Sequence, residues 1–414
     1  MQKTLRNLQY YKFSAYGFLR NLRFFDSFLM LFLLEKGMSY SEIGIMYATK
    51  EVVLNLFEIP SGIFADTWGR KRALAGSFIL YIISFAAFYL SESFVLFLLA
   101  FAFFGMGDAF RTGTHKGMIM DYLRMNDWSE HKTNYYGHTR AWSQRGLALS
   151  SLVAGFIVFR ESNFETIFLF SIIPYLLNLL LLLSYPKELN YSRQSGTHNR
   201  LIDFKYTFIN FWKMVKRPVV FALITSSAAH SAFQKSLKDY IQPVMVLSIA
   251  VLPIFTSLGE KERNGIFIGI IYFVIYILTS RASSMAGLVK GSALKPSAVI
   301  TLLSGLLAGL LCGILYGFEL WWPSLVFFTL IYLVENFRKP IMTGLVADEV
   351  SNDILTSVLS AQSQLQTVII VILSLILGFV ADIYNVGVAI AIVSILMAVT
   401  VLIIQGYKKW KICL

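Results

Sequence analysis

Charged side chains stand at helical spacing inside the apolar stretches of this 414-residue chain, and they are the residues best suited to bind a solute. Arg23 and Asp26 are three residues apart, so they share one helix face and can pair. Asp108, Arg111 and His115 follow an i, i+3, i+7 pattern, which also places them on one face. Because a charge in the middle of a bilayer costs several kcal/mol, these side chains predict either internal pairs or a polar cavity.

The bases outnumber the acids at such positions, which predicts a cavity that binds an anionic or zwitterionic solute through charge-assisted hydrogen bonds. The residues predicted to bind it are Arg20, Arg23, Arg111, Lys235, Lys238, Glu335 and Gln362. Two further bases, Lys116 and Arg140, do not lie on the helix faces that carry the other charges, and they are expected to point elsewhere. The alternative is that each charge only neutralises a neighbour, in the pairs Arg23–Asp26, Arg111–Asp108, Lys238–Asp239 and Arg338–Glu335.

Several side chains inside the apolar stretches can change protonation near neutral pH, because burial favours the protonated carboxyl group and histidine titrates there. The predicted proton-coupling residues are Asp26, His115, Glu58 and Asp108, with Glu335 as a further acid of this kind. Asp26 and His115 are favoured among them. His115 and two aspartates also have the chemistry of metal ligands, but no Cys or Met cluster accompanies them, so neither a metal nor a cofactor is predicted.

The composition excludes a soluble protein. Hydrophobic residues make up 56% of the chain, charged residues only 14%, and the mean hydropathy is +0.63. No Ser-His-Asp, metal-ligand or phosphate-binding pattern is present, so an enzyme is not expected. The net charge of +12 is assigned to cytoplasmic loops rather than to nucleic-acid binding. The expected partners are a small-molecule substrate, a coupling ion and membrane lipids, with the chain as a monomer.

The apolar stretches predict membrane spans at about 13–35, 40–64, 74–92, 95–123, 135–159, 164–185, 218–254, 264–281, 297–317, 321–345, 354–381 and 385–406. Pro243 and Pro253 predict that span seven kinks or ends early. Loops on the side of the termini hold about 21 Lys and Arg residues and the opposite loops about 4, which predicts cytoplasmic termini in a plasma or inner membrane. The basic segment 186–217 is the predicted linker between six-helix bundles at 1–185 and 218–414.

A weak internal repeat crosses this linker. Four identities recur at a constant offset of 227 residues, namely Phe110-Arg111, Gly117 and Asp121 against Phe337-Arg338, Gly344 and Asp348. They fall at the same place in spans four and ten, as expected if one half descended from a copy of the other.

The junction between spans two and three has the sequence Gly62-Ile63-Phe64-Ala65-Asp66-Thr67-Trp68-Gly69-Arg70-Lys71-Arg72. It resembles the G-x-x-x-D-x-x-G-R-[RK]-[RK] signature of the major facilitator superfamily. The resemblance extends over the whole chain, because the spans, the central linker and the position of the signature agree. It implies an all-α membrane protein with twelve transmembrane helices in two pseudo-symmetric six-helix bundles.

The resemblance also implies a gating role for the residues of the signature, which are Gly62, Asp66, Gly69, Arg70 and Lys71. Gly62 is expected to allow a close helix approach and Gly69 a tight turn. Gly378 and Asp382 repeat the G-x-x-x-D core at the outer end of span eleven, where an apolar helix end is the expected interpretation.

By resemblance, the chain is a secondary active transporter that works by alternating access, with proton coupling. The basic stripes favour a small organic anion or zwitterion as its solute. The alternative, export of amphiphilic drugs or lipids, is favoured by the 15% aromatic content. It is weakened because Phe101 stands where the family's drug/proton antiporters carry a basic residue, and because span five lacks their proline.

Overall fold

The computed structural model describes residues 6–190, 217–289, 291–350 and 352–407, and its regular elements in these ranges are helices. They are α1 (Leu8–Arg20), α2 (Leu29–Glu35), α3 (Tyr40–Trp68), α4 (Arg70–Leu90), α5 (Phe94–Arg111), α6 (Thr114–Met125), α7 (Lys132–Glu161), α8 (Thr166–Leu183), α9 (Pro218–Leu237), α10 (Ile241–Ala250), α11 (Glu260–Met285), α12 (Leu294–Gly317), α13 (Trp321–Glu349), α14 (Asn352–Ile383) and α15 (Val386–Tyr407). The chain is an all-α membrane protein of twelve spans, as the sequence predicts. Most of the predicted linker lies outside the described residues.

Six stretches of the described residues are long and apolar enough to cross a membrane on length and composition alone. They are Arg70–Leu90, Phe94–Met125, Thr166–Leu183, Glu260–Leu288, Gly291–Gly317 and Val358–Ile383. Several of the remaining spans carry charged side chains or are broken into shorter helices, and the apolar helix at Val386–Leu402 is shorter within the described residues.

Three spans consist of two helices each. Span one is α1 and α2, span four is α5 and α6, and span seven is α9 and α10. In span four the break falls at Gly113, whose φ of 78° lies in the left-handed region that glycine adopts without strain. In span seven a 3-10 turn at Lys238–Tyr240 joins the two helices, and α10 ends before Pro253, which confirms the predicted interruption. The breaks in spans one and four correct the continuous stretches predicted there.

The chain divides into two compact units. Unit 1 comprises Met1–Met38, Thr49–Gln194 and Pro253–Tyr276, and unit 2 comprises Ser39–Ala48, Ser195–Leu252 and Ile277–Leu414. The units therefore differ from the predicted bundles at 1–185 and 218–414 in the assignment of two segments. The start of α3 belongs to unit 2, and most of α11 belongs to unit 1.

The core of unit 1 is built from aromatic rings on α4, α5, α8 and the turn between α1 and α2. Phe88 and Phe25 both stack on Phe168, with ring centroids 4.9 and 5.9 Å apart. Tyr81 of α4 meets Tyr175 of α8 edge to face at 5.3 Å. These contacts bury large apolar surfaces and fix the two tyrosine hydroxyl groups beside the charged cluster described below.

In unit 2, α14 lies against the start of α3 at two glycines. A methyl group added at Gly44 would overlap the carbonyl oxygen of Ser374, and one added at Gly378 would overlap that of Tyr40. Close helix approach of this kind depends on glycine because any side chain would push the backbones apart.

Asp382 caps the N-terminus of α3. Its two carboxylate oxygens accept the backbone N–H groups of Tyr40 and Ser41, each at 2.8 Å. A carboxylate at this place satisfies free helix donors and favours the helix dipole. The G-x-x-x-D core of α14 is therefore a helix-capping contact, which corrects the expected apolar helix end.

We expect Gly378→Ala to lower the thermal stability of the purified protein, since overpacking of a tight contact costs about 1–3 kcal/mol. Gly62→Ala is the matched control within α3. A methyl group at Gly62 would meet nothing within 4 Å among the described residues, so this change should leave stability unchanged or slightly higher. Thermal unfolding in detergent measures both, and equal midpoints would contradict the close contact at Gly378.

Candidate functional site

Three arginine side chains surround one buried carboxylate in unit 1. Oδ1 of Asp108 lies 3.3 Å from Arg111, 3.7 Å from Arg20 and 3.9 Å from Arg23. Tyr81 donates its hydroxyl hydrogen to the same oxygen at 2.5 Å. Three positive charges thus share this carboxylate within a water-poor interior, and with Asp26 beside Arg23 the cluster has three arginines against two aspartates.

The break in span one positions two of these arginines. α1 ends at Arg20, where the side-chain amide of Asn21 donates to the carbonyl oxygen of Gly17 at 2.7 Å. The Tyr175 hydroxyl group donates to the free carbonyl of Arg20 at 3.1 Å and accepts from Nε of Arg23 at 3.4 Å. The side chain of Asn21 and the hydroxyl group of Tyr175 thus bond to backbone oxygens at the end of α1. Arg20 and Arg23, on either side of this break, both reach Asp108.

Arg23 has a second carboxylate partner, Asp26, at 3.3 Å. This distance confirms the pair predicted from their spacing, and Arg111–Asp108 is confirmed in the same way. Lys238 lies 3.6 Å from Asp239, as expected for the third pair. Arg338 and Glu335 differ from the prediction, because Glu335 is paired with His230 instead.

A cavity of about 330 Å³ lies between α1, α5, α6 and α7 of unit 1. Four bases line it, namely Arg20, Arg111, Lys116 and Arg140. None of the described residues that line it carries a carboxylate. Its volume is at the lower end of the range of small-molecule sites, about 300–1,000 Å³, so it fits a small anion.

Two polar atoms in the wall of this cavity have no hydrogen-bond partner within the described residues. They are the hydroxyl oxygen of Tyr16 and Nε of Arg20. Both atoms are buried, so they lie behind the surface of the cavity rather than on it. Thr139, Ser143 and Asn21 add further polar side chains to the same wall.

Lys116 and Arg140 correct the expectation that they point away from the site. The break at Gly113 restarts the helix, so α6 has a different helical phase from α5 and brings Lys116 to the cavity. On α7 the cavity is lined by Tyr136, Thr139, Arg140, Ser143 and Gln144, which is itself a helical stripe. His138, Trp142 and Arg145 lie on another face of the same helix and line a separate cavity of about 230 Å³.

His115 lies in the same wall, against aromatic rings. Its ring stacks on Tyr16 with centroids 3.6 Å apart and meets Phe13 edge to face at 5.5 Å. Nε2 lies 3.4 Å from the hydroxyl oxygen of Tyr185. These contacts suit a neutral ring, because a protonated one would stand beside the positive charge of Arg111.

The remaining predicted residues do not gather in one place. Lys235 is exposed on α9, Lys238 is partly exposed, and Gln362 is half-buried with an unpaired side-chain oxygen. Glu58 is half-buried in α3. The structure therefore brings together Arg20, Arg23 and Arg111 of the predicted binding residues, with Asp26, Asp108 and His115 of the predicted coupling residues.

The residues of the gating signature contact other parts of unit 1. Arg70 pairs with Asp121, and Lys71 donates to the carbonyl oxygens of Leu183 and Tyr185, each at 2.8 Å, at the end of α8. Gly69 has a φ of 101°, as the predicted tight turn requires. The close approach predicted at Gly62 is absent among the described residues, where a methyl group at this position would meet nothing within 4 Å. The side chain of Asp66 lies outside the described part of the structure.

The repeat has different surroundings in its two copies. Gly113, at the break in span four, and Pro340, inside α13, also stand at the offset of 227, so both copies carry a helix-disturbing residue at this point. Arg111 bonds to Asp108 and lines the cavity. Arg338 is buried and donates to the oxygens of Ser226, Thr301 and Ala298.

Twelve membrane spans and a polar, cationic cavity define the class of the protein as a membrane transporter. A family model described as Major Facilitator Superfamily matches residues 16–372, and the chain belongs to this superfamily. The family is one of transporters, so the expectation that the chain is not an enzyme agrees with it.

Known proteins resemble the chain to different extents. The uncharacterized MFS-type transporter YxaM of Bacillus subtilis (strain 168) is 40% identical over 81 residues, which are 19% of this chain and 20% of that protein. The nucleoside transporter NupG has a TM-score of 0.75 at 14% identity, covering 98% of this chain and 100% of its own. A POT family transporter in complex with 5-aminolevulinic acid has a TM-score of 0.71 at 14% identity, covering 98% and 96%. The two structures share the fold alone, and the chain matches only a fifth of the length of YxaM.

Proposed function

We propose that the chain moves a small organic anion, or a zwitterion with an exposed anionic group, across the membrane by alternating access. The observation that carries this proposal is the cavity of unit 1, where four bases meet and no described lining residue is acidic. Guanidinium groups bind carboxylate and phosphate oxygens through paired, charge-assisted hydrogen bonds. Arg20 and Arg111 are the principal ligands, with Lys116 and Arg140 completing the site.

The energy source we propose is a proton gradient. The acids of unit 1 support binding rather than proton exchange, because Asp108 and Asp26 each lie beside arginines that stabilise the ionised form. The coupling role predicted from the sequence for Asp26, His115, Glu58 and Asp108 stays a prediction, and the arginine contacts of Asp26 and Asp108 argue against it for these two. We place both termini in the cytoplasm of a plasma or inner membrane, supported by the Lys and Arg bias of the loops, and treat the chain as a monomer.

The test is uptake into proteoliposomes of three radiolabelled anions, lactate, succinate and glycerol 3-phosphate, with and without an inward proton gradient. We expect at least one to accumulate, and accumulation to collapse when the gradient is dissipated. Liposomes without protein are the control. Uptake of none of the three, with a correctly folded protein, would argue against an anion as substrate.

A second candidate is export of amphiphilic drugs or lipids. It is supported by an apolar cavity of about 470 Å³ in unit 2, lined by α9, α14 and α15 with side chains such as Phe221, Leu365 and Met397. Expression of the protein in a dye-sensitive strain distinguishes the candidates, because an exporter of amphiphiles lowers the accumulation of cationic dyes. The anion transporter proposed above leaves dye accumulation unchanged.

Arg140→Gln removes one base from the cavity wall, and we expect it to weaken binding of the solute. The half-saturating concentration for uptake should rise roughly tenfold, because a hydrogen bond to a charged group contributes about 1.5–3 kcal/mol. Arg160→Gln, at the far end of the same helix, is the matched control. Equal kinetics for the two variants would remove Arg140 from the site.

A further inference from the structure

The smaller cationic cavity of unit 1, of about 230 Å³, lies between the starts of α1 and α7, and we call it the α1–α7 pocket. None of the described residues that line it is acidic. It offers two guanidinium groups and one imidazole ring beside aromatic side chains. Its lining residues are Arg6, Tyr10 and Tyr11 from the start of the chain, and His138, Ala141, Trp142 and Arg145 from α7.

The bases of the α1–α7 pocket have no acidic partner in the parts of the chain that the structure describes. No ion pair there involves Arg6, His138 or Arg145. Arg145 instead lies over the ring of Trp142, with Cζ 4.8 Å from the ring centroid. Such stacking positions a guanidinium group without using its N–H groups. The N–H groups of Arg145 are therefore available to an anion from outside the chain.

The α1–α7 pocket lies at one end of unit 1. The two helices run side by side in the same direction, because Tyr10 meets Tyr135 edge to face at 5.3 Å and a methyl group on Gly17 would overlap Oγ of Ser143. The pocket is lined by the first residues of α1 and by the first half of α7. Trp142 is 36% exposed there, as aromatic rings at the boundary between lipid headgroups and hydrocarbon are.

An apolar surface continues from the pocket along the same face of α7. Leu149 and Phe156 follow Trp142 and Arg145 at helical spacing and are 43% and 64% exposed. Phe156 and Val153 then line an apolar cavity of about 400 Å³. Phe156 lies about 16 Å along the helix from Arg145, which is about half the thickness of the hydrocarbon core of a bilayer. The surface thus has the length of one acyl chain in one leaflet.

The α1–α7 pocket is separate from the larger cavity that is proposed to bind the solute. On α7 the larger cavity is lined by Thr139, Arg140 and Ser143, among others. Arg140 is two residues from both His138 and Trp142, and this spacing places it on the opposite side of the helix. The two cavities therefore bind their ligands independently of each other.

We propose that the α1–α7 pocket binds the headgroup of one anionic phospholipid, whose acyl chain lies along Leu149 and Phe156. The guanidinium groups of Arg6 and Arg145 donate to the phosphate oxygens. Basic pockets between membrane helices select anionic headgroups in this way. Free phosphate has the same oxygens, but it would leave the exposed apolar face of α7 without a partner, so the surface favours a lipid.

A lipid held in this pocket joins two helices that also supply the solute cavity. Arg6 precedes α1, which carries Arg20, and Arg145 lies on α7, which carries Arg140. The bound lipid is therefore expected to stabilise the packing of α1 against α7. The inference does not rest on the proposed solute, because binding of the lipid is measured without transport.

Native mass spectrometry of the purified full chain tests the proposal, with dioleoyl phosphatidylglycerol and dioleoyl phosphatidylcholine titrated separately. We expect the first phosphatidylglycerol to bind roughly tenfold more tightly than phosphatidylcholine, and Arg145→Gln to reduce this preference about fivefold. Arg140→Gln is the matched control. It removes the same charge from the opposite face of the same helix and should leave the preference unchanged.

Equal affinities of the wild-type protein for the two lipids would overturn the proposal without any variant. An equal loss in Arg145→Gln and Arg140→Gln would overturn it as well, since the preference would then reflect overall charge. If Arg145→Gln fails to fold, Arg6→Gln takes its place, because Arg6 is exposed and precedes α1. Release of the bound phosphatidylglycerol by inorganic phosphate would assign the pocket to a soluble anion instead of a lipid.

Discussion

Replacing Arg111 by glutamine reduces anion uptake roughly ten- to a hundredfold, because one charge-assisted hydrogen bond to the solute, of about 1.5–3 kcal/mol, is lost. Arg111 is the best single target. It lines the cavity and also lies 3.3 Å from Asp108, so it links the solute to the cluster that orients it. Initial rates of uptake at several concentrations measure the effect.

The control for Arg111 is Arg124→Gln. Arg124 has a side chain that is 74% exposed, and it lies at the end of α6 outside the cavity. Loss of one exposed positive charge should leave uptake within experimental error. If both variants lose uptake equally, the effect is one of overall charge, and the cavity is not the binding site.

Replacing Asp108 by asparagine destabilises the folded protein by about 3–5 kcal/mol, the usual cost of leaving a buried charge without its partner. Arg20 and Arg111 would then lose this carboxylate partner and repel each other, and Arg23 would keep only Asp26. Thermal unfolding in detergent, followed by circular dichroism, measures this loss. We expect high salt to recover little of it, because buried charges are poorly screened.

Glu92→Gln is the matched control for this variant. Glu92 also pairs with a base, Lys36, at 2.6 Å, but its side chain is 75% exposed. Ion pairs of exposed residues contribute about 0–1 kcal/mol, so the unfolding midpoint should barely move. If Asp108→Asn also lowers the stability only slightly, the arginine side chains are free to move into water. The cluster would then not be held by Asp108.

The sequence predicted contacts within a helix better than contacts between helices. Arg111–Asp108 follows from a spacing of three residues on one face of α5, and Arg23–Asp26 has the same spacing at the 3-10 turn between α1 and α2. The bond from Tyr81 to Asp108 joins α4 to α5, and the bond between His230 and Glu335 spans 105 residues. Such contacts depend on how helices pack, and a single sequence carries no direct signal of it.

A helix break accounts for one error in the predicted site, whereas Arg140 was misassigned on the continuous helix α7. Periodicity assigned Lys116 to the wrong face because it assumed one continuous helix through Gly113. A glycine inside an apolar stretch is tolerated in a helix, so its left-handed conformation was not predictable from spacing alone. Gly62 shows the opposite error, since a motif predicted a close contact where the surroundings are open.

The bases of the unit 1 cavity have a practical consequence for finding the solute. An anion that fits the cavity forms hydrogen bonds to charged groups, each of which contributes about 1.5–3 kcal/mol. A molecule that binds only the native state at a hundred times its Kd raises the unfolding free energy by about 2.7 kcal/mol. Melting curves recorded across a metabolite library will therefore rank ligands by affinity, independently of whether they cross the membrane.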